Sequence, residues 1–194
     1  MKPVDNQLKE IIKGAIVEVQ AQVVQSGTNV KEPKTLAEPI VKLLEERIGD
    51  EYNAHFFYVN AANWCQGVGY YKAAAFFTKE AANELEHSAQ VQRYLVDWNV
   101  DPKLPTPKTT ATFNTLIDIV SQAYDMEYAL YEAYNKTSMA LFQADLATFD
   151  FLQDLRIGQR QSVAEYSDFL NAAKLINVNN PLDLLYYEQT YFNV

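Results

Sequence analysis

In the stretch AANELEHSAQ (81–90), Glu84 and His87 stand three residues apart in alanine-rich sequence without glycine or proline. On a helix that spacing puts a carboxylate and an imidazole one turn apart on one face. The pair offers an oxygen and a nitrogen donor to a cation. Three further polar residues stand mid-run in seams that are apolar at their ends. Glu51 lies in the run Val41, Leu44, Ile48, Glu51, His55, Tyr58, Ala62, Cys65. Glu127 lies in Leu116, Val120, Ala123, Glu127, Leu130, Tyr134, and Gln159 in Leu152, Leu155, Gln159, Ser162, Tyr166, Phe169. Glu84 and His87 belong to a fourth run, Ala73, Phe77, Glu80, Glu84, His87, Val91, Tyr94. The spacing of each run is that of a bundle-core face. An isolated ionised carboxylate in such a face is costly.

Depth decides whether these groups meet. Glu51 and Glu84 lie 17 and 16 residues from a turn near residue 68, and Glu127 and Gln159 lie 17 and 15 residues from one near 144. At ~1.5 Å rise per residue, each antiparallel pair is level to within about one helical turn. Three carboxylates, an imidazole and an amide therefore converge in one layer. Like charges so close raise one another's pKa. Two divalent cations would compensate the three carboxylates, with Glu84 as the natural bridge. Hard oxygen donors with one imidazole suit iron or manganese better than copper, and zinc is a further possible occupant. His55 shares the Glu51 seam without a partner at matching spacing, so it reads as a hydrogen-bonded core histidine. Glu80 reads as a solvated edge residue. Among the 13 tyrosines only Tyr58, two turns past Glu51, draws attention.

The elements that must position these groups are four long helices, expected over 37–67, 69–99, 112–142 and 146–176. Thr35 is the expected N-cap of the first, with Pro39 in its first turn. QGVGYY (66–71) breaks the first pair, and the prolines of DPKLPTPKTT (101–110) forbid helix in the long connection. A short fifth helix is expected over 182–192. Residues 1–34 read as a separate extension, with a helix over 8–25, and residues 35–194 as the bundle domain. The 194 residues carry 16 Lys+Arg against 25 Asp+Glu, a net charge of −9, which disfavours nucleic acid as a partner and favours cations. Cys65 is the single cysteine, which excludes an intrachain disulfide and a cysteine-based metal site. No apolar run approaches the length of a membrane span and no secretory signal is visible, so a soluble cytoplasmic protein is expected.

With these residues in place, the sequence resembles the bacterial-type non-haem ferritins. EYNAHFFYVNAANWC (51–65) resembles the family's first-helix motif, AAAFFTKEAANELEHSAQ (73–90) the second, YDMEYALYEAY (124–134) the third and TFDFLQDLRIGQ (148–159) the fourth. LDLLYYEQTYF (182–192) is similar to the C-terminal segment. The resemblance covers residues 37–192. It implies an all-α, ferritin-like four-helix bundle with one long crossover and a short fifth helix, assembled into a hollow cage of 24 subunits. It implies oxidation of ferrous iron by oxygen or peroxide at a di-iron ferroxidase centre, and storage of the ferric product. Glu51 and His87 would hold one iron, Glu84 would bridge, Glu127 would hold the second, and Gln159 would order ligands there. Tyr58 would hydrogen-bond to the centre or donate an electron. Related di-iron bundles carry Glu-x-x-His on two helices; here Leu130 and Ser162 stand where a second histidine could follow, which argues for the asymmetric ferritin site. Asn83, Gly158, Gln161 and Ser162 stand where ferritins often have acids, so the resemblance does not extend to an extra iron site. Two other readings stay open: a di-iron or di-manganese oxidase or peroxide-detoxifying protein that builds no cage, and a structural bundle with a relic site.

Overall fold

The computed structural model describes residues 31–106, 108 and 111–192. The expected helix at 8–25, and nearly all of the 1–34 extension, lie outside the described residues. Thr35–Val194 is a compact unit of its own. Among the described residues it is all helix: α1 Glu38–Val68, α2 Tyr71–Asp97, α3 Leu116–Ala144, α4 Leu146–Ala173 and the short α5 Pro181–Tyr191. This is a four-helix bundle with a C-terminal fifth helix. None of the described helices is long and apolar enough to cross a membrane.

The helix ends follow local chemistry. α1 starts with Ala37 at the N-cap and Pro39 in the first turn, so Thr35 lies outside the helix and caps nothing. Proline sets the helical φ without losing a needed N–H. Leu36 and Val41, at the positions of a hydrophobic staple, join the same core cluster and fix the chain's approach. The helix ends at Gly69, whose φ of 96° is left-handed and whose N–H reaches the Cys65 carbonyl at 3.1 Å. α3 starts at Leu116 rather than at 112, because the Thr115 side chain accepts from the Asp118 N–H at 3.0 Å. α3 and α4 are joined by Asp145 alone, which also caps α4 through the Thr148 N–H at 2.9 Å. Asn180 caps α5 through the Leu182 N–H at 3.1 Å, with Pro181 next in line.

α1 pairs with α2, and α3 with α4, across short turns, so each pair is antiparallel. The crossover over residues 98–115 lets α3 return beside α1, with 47 level with 137, 51 with 134 and 58 with 127. That segment is tied to α1: the Glu45 carboxylate accepts from the Lys103 N–H at 2.9 Å, and Asn53 Oδ1 accepts from the Lys108 N–H at 2.8 Å. Gly49 faces the crossover; a Cβ there would come within 3.2 Å of Pro105 Cγ. α2 lacks a cap of its own. Its first N–H groups, on Lys72 and Ala73, donate to Glu188 Oε1 of α5 at 2.6 and 3.0 Å. Tyr187 donates to the Phe169 carbonyl at 2.9 Å, which fastens α5 to α4 as well.

The core is two apolar clusters with a polar layer between them. One holds Tyr58, Phe76, Phe77, Tyr166, Phe169 and Phe192; the other holds Leu44, Ile48, Val91, Leu95, Leu141 and Leu152. Glu51, Glu84, Glu127 and Gln159 occupy the layer between, each at most 4% exposed.

Two stability predictions follow from these packing details. Glu188→Ala strips the N–H groups of α2 of their acceptor and should cost about 1–3 kcal/mol in urea unfolding. It should also open α5 to proteolysis ahead of the bundle. Gly158 lies inside α4, where an added Cβ meets no atom within 4 Å. Gly158→Ala should therefore stabilise by ~1 kcal/mol.

Candidate metal centre

Each group of the polar layer comes from a different stretch of helix. Glu51 sits mid-α1, Glu84 and His87 mid-α2, Glu127 mid-α3 and Gln159 mid-α4. Glu51, Glu84 and His87 present one ligand atom each, all within 4.8 Å of one another. His87 Nδ1 lies 2.9 Å from Glu84 Oε2 and 3.8 Å from Glu51 Oε2. Glu51 Oε2 is buried and has no hydrogen-bond partner, which suits an oxygen meant for a cation. The His87 side chain is 33% exposed, so the centre meets its surroundings at the imidazole.

Glu127 stands outside that three-residue set. Its carboxylate accepts from the Tyr58 hydroxyl on one oxygen and from the Gln159 amide on the other. Gln159 Nε2 also reaches the Glu127 carbonyl at 3.1 Å. Thus Glu127, Gln159 and Tyr58 form a second group of their own. His55 is held by the Ala81 carbonyl, 2.7 Å from Nδ1, and takes no part in either group. Glu80, expected to be solvated, is half-buried, with its carboxyl pushed up by burial and by the Glu165 charge.

Two residues of the layer escaped the sequence reading. Tyr134 of α3 is fully buried and donates its hydroxyl to Glu51 Oε1. Arg47, one turn before Glu51, is buried, with its guanidinium 5.9 Å from the Tyr134 ring centre. It donates to Thr137 Oγ1 at 3.0 Å and pairs with Asp50 at 2.6 Å. The signal for Tyr134 was present: it follows Glu127 by seven residues, as Tyr58 follows Glu51.

Burial pushes the Glu84 carboxyl well above the ordinary carboxylate range, and the charges of Glu51 and Glu127 push it the same way against the His87 hydrogen bond. Burial raises Glu127 to about 7, opposed by the hydrogen bonds from Tyr58 and Gln159. For His87, burial works against the cation, but the Glu51 and Glu84 carboxylates outweigh it and bring the imidazole to about 10. Without metal, a proton on His87 and protons on the carboxyls supply the positive charge the layer lacks. A divalent cation would replace them, so binding releases protons and tightens as pH rises. Buried carboxylates, an imidazole and an orphaned oxygen fit iron or manganese by donor type.

Both shifts have the same sign for stability. Glu127 and His87 hold protons in the fold that the unfolded chain has released. Their stabilisation is fully present below the unfolded values of 4.5 and 6.5, and is lost as pH rises through about 7 and about 10. The metal-free chain should therefore melt lower at pH 8 than at pH 5. The Glu127 contribution is roughly 3 kcal/mol, and Glu127→Gln should flatten the slope. Calorimetry across that window checks it; a melting temperature that climbs with pH would contradict the assignment.

Comparisons with known proteins bear on the family and the fold. Residues 41–176 match the profile of the Ferritin-like domain. The bacterial non-heme ferritin of Campylobacter jejuni is 28% identical over 143 residues, covering 73% of this chain and 86% of that one. A bacterial non-heme ferritin of Escherichia coli is 26% identical over 116 residues, covering 59% and 70%. Among solved structures, the open pore ferritin of Archaeoglobus fulgidus superposes with a TM-score of 0.77 at 18% identity, covering 82% of this chain and 99% of that one, a likeness of fold. With the profile spanning most of the bundle, and a carboxylate–histidine cluster at its centre, the chain belongs to the ferritin family.

Proposed function

We propose that this protein oxidises ferrous iron at a two-metal centre and stores the ferric product inside a hollow assembly of its own copies. The observation that carries the reading is the convergence of Glu51, Glu84 and His87, with one buried carboxylate oxygen unpartnered, beside Glu127 and Gln159. In this reading ferrous iron is the substrate, taken in pairs. Glu51 and His87 hold the first ion, Glu84 lies between the two, and Glu127 holds the second through Oε2, released from Gln159, while Oε1 keeps the Tyr58 hydroxyl. Gln159 is neutral and serves the second position alone. Oxygen or peroxide accepts the electrons. The bundle supplies buried carboxylates held at one depth.

Self-association is supported by surface chemistry. Leu182, Leu185 and Tyr186 line an exposed face of α5, and Leu175, in the turn after α4, is 82% exposed. Apolar groups collected on one helix face mark an interaction surface. The likeness to bacterial ferritins suggests a cage of 24 subunits. The absence of carboxylates at Asn83, Gly158, Gln161 and Ser162 supports slower transfer of oxidised iron onward than initial oxidation.

Anaerobic titration of the metal-free protein should saturate at about two ferrous ions per subunit. Saturation well below one, with the fold intact, would refute the centre. Glu84→Ala removes the shared anion and should abolish paired binding and fast oxidation. Gln159→Ala should leave the first position filled and slow oxidation by roughly 10-fold. Wild-type rates in Glu84→Ala, read by stopped flow, would place the chemistry elsewhere. Native mass reports whether the cage forms.

A further inference from the structure

α1 and α3 run antiparallel, and each carries a glutamate followed seven residues later by a tyrosine: Glu51 with Tyr58, and Glu127 with Tyr134. The register makes the two motifs reciprocal. Tyr58 of α1 donates its hydroxyl to Oε1 of Glu127 on α3, while Tyr134 of α3 donates to Oε1 of Glu51 on α1. Both phenols are fully buried. Their surroundings differ. Tyr58 is stacked between Phe77 and Tyr166 with ring centres 6.0 Å apart on each side, whereas Tyr134 carries the Arg47 guanidinium 5.9 Å from its ring centre.

A phenol hydrogen-bonded to a carboxylate can release an electron and a proton together, because the acceptor for the proton is already in place. Two ferrous ions supply two electrons, whereas carrying dioxygen to water takes four. The flanking positions on α2 and α4, Asn83, Gly158, Gln161 and Ser162, offer no carboxylate to hold a third ion. We propose that Tyr134 is a second redox-active tyrosine, acting through Glu51, and that Tyr134 and Tyr58 together supply the two missing electrons. The inference rests on the iron-oxidising reading above. One dioxygen, two ferrous ions, two phenols and two solvent protons give two ferric ions, two neutral tyrosyl radicals and two waters. Without the phenols, the same two ferrous ions and two protons carry dioxygen only to hydrogen peroxide. The Tyr134 proton passes to Glu51 and the Tyr58 proton to Glu127, and from there to the reduced oxygen. Two further ferrous ions, with two solvent protons, then restore both phenols. The cation over Tyr134 holds its π electrons more tightly, so Tyr58 is oxidised first and Tyr134 second.

The test mixes wild type, Tyr58→Phe, Tyr134→Phe and the double variant with two ferrous ions per subunit and dioxygen. Radicals are counted by freeze-quench paramagnetic resonance and peroxide is assayed alongside. Zinc binding, which needs no redox step, checks that each variant keeps the centre. Wild type should show two radicals per iron pair and no free peroxide. Each single variant has only three electrons per iron pair, too few to reach water, so like the double variant it should stop at one hydrogen peroxide per pair with no stable radical. The wild-type count stands whatever the variants do: one radical, or one peroxide released per pair, overturns the proposal. So does a Tyr134→Phe protein that binds zinc and keeps two radicals. A wild type that binds no ferrous iron would instead defeat the functional reading itself.

Discussion

Three carboxylates buried in one layer of a helical bundle are the constraint from which the rest of the molecule takes its form. Each costs more to bury than a hydrogen bond returns, so the layer persists only through partners arranged on every side. Tyr58 and Gln159 grip Glu127, Tyr134 grips Glu51, and His87 sits against Glu84. No helix satisfies its own acid alone, apart from the Glu84–His87 turn. The polar layer thereby sets the relative depth of α1 and α3 more strictly than the apolar contacts above and below it. A leucine can slide along a neighbouring helix at modest cost, whereas a phenol paired to a buried carboxylate cannot.

The two apolar clusters differ in make-up. The side toward α5 is aromatic, built on Tyr58, Phe76, Phe77, Tyr166, Phe169 and Phe192, with many edge-to-face contacts such as Phe76–Phe169 at 5.4 Å. The opposite side has an aliphatic interior of Leu44, Ile48, Leu95, Leu141 and Leu152 around Tyr134, with Tyr94, Trp98, Phe149 and Phe151 at its margin. Aromatic rings interlock in defined geometries, so the Tyr58 side of the centre is the stiffer wall. On the aliphatic side, firmness comes instead from Arg47, which binds Asp50, Thr137 and the Tyr134 ring at once.

Much of this was legible in the residues themselves. Glu51, Glu84, Glu127 and Gln159 announce themselves because each breaks an apolar seam, and equal distances from two turns put them at one depth. The fold class and the crossover follow from four long periodic runs and the prolines between the second and third. What escaped is what depends on register between helices distant in sequence. Tyr134 sits in its seam as an ordinary core aromatic; only its level with Glu51 gives it a role. Arg47 reads as a surface charge until Thr137 is placed opposite. Glu188 looks like a solvated acid until α5 folds back on α2. Thr35 was misread for a simpler reason: a good cap residue stood two places too early, and Pro39 decided the start.

The bond from Glu188 to the N–H groups of Lys72 and Ala73 also orders events in time. It spans 116 and 115 residues of chain, among the longest separations in the bundle, and loop closure over such a span comes late. During synthesis the α1–α2 hairpin emerges first with the first turn of α2 left open to water. That turn is sealed only when the fifth helix arrives. The fifth helix thus acts as the clasp that closes the first pair.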